Sequence, residues 1–209
     1  HHFIICVLMG VSMSDIVEAI ENCIGTNAVL TGDAVKERIS VWGTNQPMEA
    51  LAIVRPKNTD EVSSILRLCN EEGQPIVPQG GMTGLVKAGM PNSSEIAFSM
   101  ERMNSIIDVD FETATMTVEA GVTLQEAQEA ADAHDLMLPL DLGARGSATI
   151  GGNLSTNAGG NRVIRYGMTR EMVLGVEAVL ADGTILSSLN KVLKNNTGYD
   201  LKQLFIGGE

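Results

Sequence analysis

The sequence predicts an α+β fold with two lobes, a small parallel α/β lobe followed by an antiparallel sheet lobe with helices. A strand, a helix and a second strand follow one another between residues 50 and 78, which is typical of a parallel unit. Short strand candidates between residues 95 and 120, and a hairpin at 172–188, indicate the antiparallel lobe. Two glycine-rich loops, PQGGMTGL at 78–85 and ATIGGNLSTNAGGN at 148–161, interrupt this pattern.

The N-terminal segment, residues 1–41, is expected to stand apart from a domain that occupies residues 42–209. Within it, residues 1–12 are interpreted as a tag or an upstream start. Residues 14–24 carry apolar side chains at helical spacing and predict a short amphipathic helix. Residues 25–49 are predicted to be irregular.

The parallel unit of the first lobe begins with ALAIV at 50–54, which predicts a buried strand. A helix is predicted from about 60 to 72, because Asn58 or Thr59 can cap its start and a glycine follows its end. PIVP at 75–78 is a short apolar strand that leads directly into the first glycine loop. That loop therefore lies at the carboxyl end of a strand, where ligands bind in parallel α/β sheets.

The second lobe is predicted to contain three short strands, at 95–99, 105–109 and 114–120. A helix follows, since Thr123 and Glu126 have the spacing of a capping box. The later hairpin is predicted to turn at Asp182-Gly183, a dipeptide that favours tight turns between strands.

The charge and the cysteine count exclude several classes of partner. A net charge of −12 argues against nucleic acid or an anionic membrane surface, because phosphate-rich partners require Lys and Arg. Cys6, Cys23 and Cys69 are odd in number and widely spaced, so we expect no disulfide framework, no zinc site and a reducing cytosol. His134 is the single interior histidine, and no metal cluster is expected. The apolar N-terminus is shorter than the roughly 20 residues of a membrane span, so none is expected.

The two glycine loops carry the strongest indication of function. They contain seven of the chain's 22 glycines: Gly80, Gly81, Gly84, Gly151, Gly152, Gly159 and Gly160. Glycine permits positive φ and close approach of the backbone to a ligand, and successive N–H groups can form a nest for an anion. Neither loop contains Lys or Arg. The pattern predicts a phosphorylated cofactor held between the loops by backbone amides and hydroxyls.

The loops differ in how specific they are. The first is neither a P-loop nor a dinucleotide fingerprint, since no Gly-Lys-Ser/Thr follows and Gly80-Gly81-x-x-Gly84 has the wrong spacing. A purely structural turn after a strand therefore remains open there. The second loop has no charged residue between Arg145 and Arg162 and is filled with small, hydroxyl and amide side chains. Its alternative is a solvated loop, but its composition favours a ligand.

Three motifs together resemble a known family. PQGGMTGL, LPLDLGARGSATIGGNLSTNAGGNRVIRYG and LKNNTGYDLKQLFIGGE are similar to the FAD-binding domain of the vanillyl-alcohol oxidase / p-cresol methylhydroxylase superfamily, and the resemblance covers residues 42–209. The segment LPLDLGARGS at 138–147 resembles one branch of this superfamily, that of D-2-hydroxyglutarate dehydrogenase and its bacterial relatives. It is less similar to D-lactate dehydrogenase and the glycolate oxidase flavin subunit.

The resemblance implies a set of FAD-binding residues. The backbone of Gln79–Gly84 would cradle the pyrophosphate, and the segments 139–143 and 147–157 would line the flavin and its ribityl chain. The implied contacts are Pro78, Gln79, Gly80, Gly81, Met82, Thr83, Gly84, Leu85, Pro139, Asp141, Leu142, Gly143, Ser147, Thr149, Ile150, Gly151, Gly152, Asn153, Ser155, Thr156 and Asn157. Met82-Thr83 stand where some relatives attach FAD through a histidine, so the cofactor is expected to be non-covalent.

Several other polar residues have two interpretations. Asp141 is either a flavin-side acceptor or a turn carboxylate, and Arg145 either meets a phosphate or is solvated. Tyr199 and Asp200 either border the flavin or fix a turn, and we favour the turn. His134 is interpreted as structural or solvated. The apolar helical face that carries Cys69 predicts an inert, buried thiol.

The resemblance implies oxidation of a D-2-hydroxy acid to a 2-oxo acid by FAD, with electrons passed to a separate acceptor. The chain shows no counterpart of the family's metal-binding histidine motif or substrate arginine, so no catalytic residue and no metal ligand are predicted. We therefore expect the FAD-binding portion, truncated before its last strand, without the substrate domain and inactive alone, in a bacterial cytoplasm. A D-lactate or glycolate oxidase subunit, a flavin-binding module completed by a partner chain, and a reductase with the same FAD lobes are the alternatives.

Overall fold

The computed structural model describes residues 13–39 and 46–208, with side chains from Asp15 onward. The helices are α1 (Met13–Ile24), α2 (Asp33–Lys36), α3 (Thr59–Glu72), α4 (Leu124–Asp132), α5 (Ile150–Ser155), α6 (Val163–Tyr166) and α7 (Thr169–Met172). The strands are β1 (Val29–Leu30), β2 (Ala52–Val54), β3 (Ile76–Gln79), β4 (Ile96–Ser99), β5 (Ile106–Asp110), β6 (Thr115–Val118), β7 (Val176–Val179) and β8 (Ile185–Ser188). Short 3-10 helices occur at Thr26–Ala28 and Leu201–Leu204. The interpretation of residues 1–12 as a tag, and the predicted boundary at 41/42, lie outside the described residues.

The first lobe is a four-stranded sheet with the order β1-β2-β4-β3. β2 and β3 are both parallel to β4, which lies between them, and β1 is antiparallel to β2. α1 and α3 pack together on this sheet, and Ile20, Ile65 and Phe98 are fully buried in the shared core. The predicted parallel strand–helix–strand unit is confirmed, with one more strand inserted into it.

Two predictions for this part of the chain were wrong. The segment 95–99 belongs to the first lobe as its central strand β4, not to the second lobe. All four β4 residues are buried, and a strand covered on both faces has no alternation by which the sequence could indicate its partners. The stretch 25–49 is not irregular throughout, because it contains β1 and α2. β1 has only two residues, too few to produce a periodic pattern.

The predicted ends of α3 are confirmed. The Asn58 side chain accepts a hydrogen bond of 2.9 Å from the Glu61 N–H, which satisfies one of the free donors of the first turn. Gly73 ends the helix with a φ of 65°, the left-handed conformation that glycine adopts without a steric penalty. Cys69 is buried on the inner face, and burial raises the pKa of its thiol to about 11, so an inert core cysteine is confirmed.

The second lobe consists of two separate antiparallel hairpins and several short helices. β5 pairs with β6 and β7 pairs with β8. The predicted turn at Asp182-Gly183 joins β7 to β8, although β7 begins only at Val176 because α7 occupies the residues before it. The Thr123–Glu126 capping box at the start of α4 is also confirmed. The mixed parallel and antiparallel sheets with helices confirm the predicted α+β class.

The hairpin β7–β8 is bound to the first lobe through its turn. The Ser63 hydroxyl of α3 donates a hydrogen bond of 2.6 Å to the Gly183 carbonyl, and the Thr59 hydroxyl donates one of 2.7 Å to the Glu177 carboxylate. A Cβ atom on Gly183 would lie 2.6 Å from the Ser63 carbonyl oxygen, so the turn requires glycine for this close approach as well as for its φ of 82°. These contacts fix one hairpin against α3.

Candidate functional site

The two glycine loops lie against each other. A Cβ atom added to Gly80 would be 2.5 Å from the Thr149 Oγ1 atom, and one added to Gly81 would be 1.7 Å from the Ser147 carbonyl oxygen. Any side chain at these two positions would separate the loops. The pair Gly80-Gly81 is therefore required for close packing of loop on loop, which places the two predicted halves of the cofactor site side by side.

The first loop continues from the carboxyl end of β3. Gln79 is buried, and its side-chain amide donates a hydrogen bond of 2.9 Å to the Gly89 carbonyl, which ties the two ends of the loop together. Met82 adopts a φ of 54°, a left-handed conformation that is uncommon for residues other than glycine. From Gly84 and Leu85 onward the loop is exposed. The predicted cradle is thus anchored at Gln79 and open at its tip.

The second loop contains an unpredicted helix. α5 starts after Thr149, whose Oγ1 accepts a hydrogen bond of 3.3 Å from the Gly152 N–H. The Ser155 hydroxyl donates to the Gly151 carbonyl at 3.0 Å, and the Thr156 hydroxyl donates to the Gly152 carbonyl at 2.9 Å. Two glycines in the first turn disfavour a helix, which explains why the sequence indicated only a loop.

The glycines of α5 have a packing reason on one side of the helix. A Cβ atom on Gly151 would lie 2.8 Å from the Ala120 Cβ and 2.9 Å from its carbonyl oxygen. Gly152 meets only the Thr149 Oγ1 within 4 Å, at 3.2 Å. Gly151 is therefore needed to seat α5 against the end of the β5–β6 hairpin, while Gly152 keeps the side next to Gly80 clear.

Asn153 carries the clearest sign of an absent ligand. Its side chain is buried, with only 4% of the residue exposed, and its Nδ2 group has no hydrogen-bond partner among the described residues. Buried amides are normally paired, since an unpaired buried donor destabilises the protein by about 1–3 kcal/mol. Asn153 follows Gly152 on α5, the helix whose N-cap Thr149 lies next to Gly80, and an oxygen or nitrogen acceptor of a bound cofactor would satisfy its donor.

The segment 139–143 lines the other side of the second loop. The Asp141 carbonyl accepts a hydrogen bond of 3.1 Å from the Asn161 N–H, and Gly160 approaches it so closely that a Cβ would lie 2.0 Å from the same oxygen. The Asp141 carboxylate forms ion pairs of 3.3 Å with Arg145 and 3.7 Å with Arg162. Of the two interpretations, these pairs favour a turn carboxylate for Asp141 and a structural partner for Arg145.

The remaining predicted site residues differ in exposure. Pro139, Leu142, Ile150 and Thr83 are half-buried, whereas Pro78 and Gly143 are exposed. Asn157 has a φ of 45°, and its Oδ1 accepts a hydrogen bond of 2.9 Å from the Arg170 N–H. The Asn157 side chain is thus already engaged within the protein.

Arg170 is a residue that sequence reasoning missed. Its guanidinium donates to the Gln203 carbonyl at 2.9 Å, to the Gln203 side chain at 2.8 Å and to the Ile206 carbonyl. The Gly207 N–H also donates to the Leu154 carbonyl of α5 at 2.9 Å. The last described segment is therefore fastened to the second loop. No periodic pattern or motif around α7 could have indicated this long-range contact.

The other candidates have structural roles. Asp200 accepts hydrogen bonds from Lys202 at 2.5 Å and from Gln203 at 3.0 Å, as the turn interpretation predicts, and Tyr199 is 97% exposed. The His134 ring lies 3.0 Å from the Ala130 carbonyl on an exposed helix end. Within residues 13–39 and 46–208 no group of three or more His, Cys, Asp or Glu could hold a metal ion, and no helix there is long and apolar enough to cross a membrane.

Comparison with known sequences identifies this arrangement. The sequence profile of the family described as FAD binding domain matches residues 50–188, which include both glycine loops. The chain belongs to the FAD binding domain family. Its cofactor is FAD, as the resemblance implied.

Related proteins and solved structures agree with this assignment. The chain is 51% identical over 157 residues to the mitochondrial D-2-hydroxyglutarate dehydrogenase of Danio rerio, an alignment that covers 75% of this chain and 30% of that protein. It is 47% identical over 156 residues to a mitochondrial protein of Schizosaccharomyces pombe provisionally named a D-lactate dehydrogenase, again over 75% of this chain and 30% of the relative. The chain thus spans about a third of the length of these curated relatives.

The fold is shared with two larger enzymes. Alkyldihydroxyacetonephosphate synthase matches with a TM-score of 0.80 and 21% identity, over 97% of this chain and 39% of that protein. p-Cresol methylhydroxylase matches with a TM-score of 0.70 and 22% identity, over 92% and 40%. These matches show that the chain has the same fold as p-cresol methylhydroxylase, as the predicted resemblance implied.

Proposed function

We propose that this chain binds FAD non-covalently between its two glycine loops. The unpaired Asn153 amide supports the proposal most directly, because a buried donor without an acceptor fits a site whose ligand supplies one. The cradle at Gly80-Gly81 adds to it, since these positions hold the loops together without side chains that would fill the site. The backbone of Gln79–Gly84 would bind the pyrophosphate through its N–H groups.

The other predicted contact residues have different roles in this proposal. Segments 139–143 and 147–157 would line the flavin and ribityl chain, with α5 presenting Asn153 and the hydroxyl oxygens of Ser155 and Thr156. These hydroxyls donate to the helix backbone, so their oxygens remain available as acceptors. Met82-Thr83 offer no nucleophilic nitrogen, which supports non-covalent binding.

We propose that residues 42–209 form the FAD-binding portion of a larger protein. That whole protein would dehydrogenate a D-2-hydroxy acid to a 2-oxo acid. FAD, when bound, supplies the acceptor for the hydride that leaves the hydroxy acid. The name of the Danio rerio relative favours D-2-hydroxyglutarate as the substrate. The Schizosaccharomyces pombe relative keeps D-lactate as a second candidate. A separate electron acceptor would reoxidise the flavin.

We further propose that the 209-residue chain does not catalyse this oxidation by itself. The residues described here supply loops and buried amides for a cofactor but no candidate general base for the hydroxyl proton. A flavin-binding module completed by a partner chain is the alternative class, and co-purification with a second polypeptide would favour it. The bacterial cytoplasm is our proposal for location. Cys23 and Cys69, the two described cysteines, are both free, which suits a reducing compartment.

The test is titration of the purified chain with FAD, followed by flavin absorbance and fluorescence, in the wild type and in Asn153→Leu. Leucine has nearly the same volume but no donor, so we expect FAD binding to weaken about tenfold while the cofactor-free chain keeps or gains thermal stability. Asn70→Leu, at an exposed position of α3, is the matched control and should leave the affinity unchanged.

Three results would contradict these proposals. A wild-type chain that takes up no FAD contradicts cofactor binding by this chain. Equal FAD affinities of wild type and Asn153→Leu contradict the role of Asn153 alone. Oxidation of D-2-hydroxyglutarate or D-lactate by this chain with FAD and a dye contradicts the proposal that it is inactive by itself.

A further inference from the structure

A cluster of three charged side chains borders the first glycine loop. Arg38 binds the Glu101 carboxylate with both terminal nitrogens, at 3.2 and 3.0 Å. Arg55 binds the same carboxylate at 3.2 Å. Two guanidinium groups thus share one carboxylate, and the cluster carries a net charge of +1.

This cluster and the first loop face the same cavity. The cavity has a volume of about 140 Å³, and its wall includes Arg38, Glu101 and the loop residues Gln79, Gly80, Gly81 and Met82. Ser99, at the carboxyl end of β4, lies in the same wall. The cavity therefore opens at the carboxyl ends of two adjacent parallel strands, beside the backbone that is proposed to hold the pyrophosphate.

The two arginines are not equivalent. The Arg55 side chain is only 18% exposed, and it also donates to the Asn27 carbonyl at 2.5 Å. The Arg38 side chain is 44% exposed, and its only partner among residues 13–39 and 46–208 is Glu101. A guanidinium has five N–H donors, and the Glu101 carboxylate accepts from two of those of Arg38. Arg38 also lines the cavity, whereas Arg55 does not. Arg38 is thus the member of the cluster that can meet a ligand.

Glu101 stays ionised and positions Arg38. Partial burial would raise the pKa of its carboxyl, but the hydrogen bonds and charges of Arg55 and Arg38 outweigh burial and hold the pKa below its ordinary value. The backbone of Arg38 is fixed as well, because its carbonyl accepts a hydrogen bond of 2.8 Å from the Met48 N–H. The guanidinium is therefore held at the edge of the cavity from both ends.

A cation beside the first glycine loop would compensate for two features of the chain that disfavour phosphate binding. Neither glycine loop contains Lys or Arg, and the chain carries a net charge of −12, which repels an anionic nucleotide at long range. We propose that Arg38 binds a phosphate of the dinucleotide held by the Gln79–Gly84 loop, and that Arg55 and Glu101 hold Arg38 in position. Arg38 lies outside the region matched by the FAD binding domain profile, so the N-terminal segment would contribute to the site. This inference rests on the proposed function.

The experiment measures the dissociation constant of FAD for the 209-residue chain at about 20 and about 200 mM salt, which differ severalfold in electrostatic screening. The variants are Arg38→Ala and Arg38→Lys, with Lys36→Ala as the matched control. Lys36 lies two residues away, is 68% exposed and pairs with Asp33, so its removal changes the net charge equally without touching the cavity.

We expect Arg38→Ala to weaken FAD about tenfold at low salt and by a smaller factor at high salt, because a charge-assisted hydrogen bond is lost. ADP used as a competitor should lose affinity by the same factor, since it carries the pyrophosphate without the flavin. Arg38→Lys should recover part of the affinity, because it keeps the charge but not the fork geometry. Lys36→Ala should match the wild type.

Several outcomes would overturn the inference. Equal losses in Arg38→Ala and Lys36→Ala would assign the effect to overall charge. A loss that does not depend on salt and accompanies a lower thermal unfolding temperature of the cofactor-free chain would assign Arg38 a structural role. Unchanged binding in Arg38→Ala, with a wild type that binds FAD, contradicts this inference alone, whereas a wild type that binds no FAD contradicts both it and the proposed function.

Discussion

Gly81 and Gly84 stand three residues apart in the first loop but in different surroundings. A Cβ atom on Gly81 would lie 1.7 Å from the Ser147 carbonyl oxygen, whereas one on Gly84 would meet no atom of the described residues within 4 Å. The Ser147 carbonyl belongs to the backbone that leads directly into the second loop, so it cannot move aside as a flexible side chain would. A residue at 81 therefore decides whether the two loops can remain in contact.

We predict opposite results for alanine at these two positions. Gly81→Ala should destabilise the chain by about 1–3 kcal/mol, the range for overpacking, and should abolish measurable FAD binding because the loops separate. Gly84→Ala should leave the thermal unfolding temperature unchanged. Differential scanning fluorimetry with and without FAD checks both variants. A Gly81→Ala chain as stable as Gly84→Ala would show that the loops do not meet as described.

Single residues also mark the limit of what the sequence could predict. The glycines of both loops were recognised as a place of close approach, but what they approach is the other loop, a contact that no spacing reveals. The motif predicts both Asn153 and Asn157 as contacts. In the structure the buried Asn153 amide has no described partner, whereas the Asn157 side chain accepts a hydrogen bond from the Arg170 N–H. The residue types indicate where the site lies, whereas the contacts that each of these residues makes depend on tertiary structure.

At the scale of elements, local signals were sufficient where they are strong. The N-cap of α3 and the capping box of α4 depend on side chains within four residues of the helix start, and the end of α3 depends on the single glycine that follows it. β4 was placed in the wrong lobe because its partners, β2 and β3, lie far away in sequence. α5 was missed because its two glycines disfavour a helix, and packing against Ala120 has to stabilise it instead.

Arg170 is one of the contacts that hold the segment after Asp200 on α5 and α7, and its contribution can be tested. We predict that Arg170→Ala destabilises the segment by about 1.5–3 kcal/mol, because hydrogen bonds from a charged donor to Gln203 and Ile206 are lost. Hydrogen exchange of the Gly207 amide, which donates to Leu154, should become faster.

Arg165→Ala is the matched control for this prediction. Arg165 lies on the neighbouring helix α6, is exposed, and contacts only the ring of Tyr166, at 5.3 Å, among the interactions described for its side chain. Its removal should leave the Gly207 amide protected. Equal protection of that amide in Arg170→Ala and wild type would show that the segment is held by other contacts, such as the buried Ile206 side chain.

At the scale of the whole molecule, polar contacts join the hairpins to each other and to the first lobe, and Val179 of β7 also packs against the core of the first lobe. The turn of β7–β8 is bound to α3 through Ser63 and Thr59. The segment after β8 is bound to β5 through Lys191, whose ammonium lies 2.7 Å from Asp108 and 3.1 Å from Asp110. Since each hairpin is a separate two-stranded sheet, which has little stability alone, these contacts help to define the second lobe.

The Asp110 carboxylate, which interacts with Thr113 and Lys191, makes the stability of the second lobe depend on pH in a defined window. Hydrogen bonds from the side chain and backbone of Thr113, together with Lys191, hold the pKa of Asp110 at about 2, below its usual value. A carboxyl whose pKa is depressed in the folded state stabilises the protein above its unfolded pKa of about 3.9, and this contribution is lost as the pH falls towards the folded value. Hydrogen bonds from Lys191 to the same carboxylates raise the lysine pKa, so the ammonium stays charged throughout this range.

We therefore predict that Asp110→Asn unfolds at a lower urea concentration than the wild type at pH 7, and that the difference disappears between about pH 4 and pH 2. Glu71→Gln, at an exposed position of α3, serves as the control and should track the wild type over the same range. Urea unfolding followed by circular dichroism at intervals of half a pH unit measures both differences. A gap between Asp110→Asn and wild type that persists undiminished at pH 2 would assign the effect to lost packing in the β5–β6 turn, because the Asp110 carboxyl is about half protonated in the folded state and fully protonated in the unfolded chain at that pH.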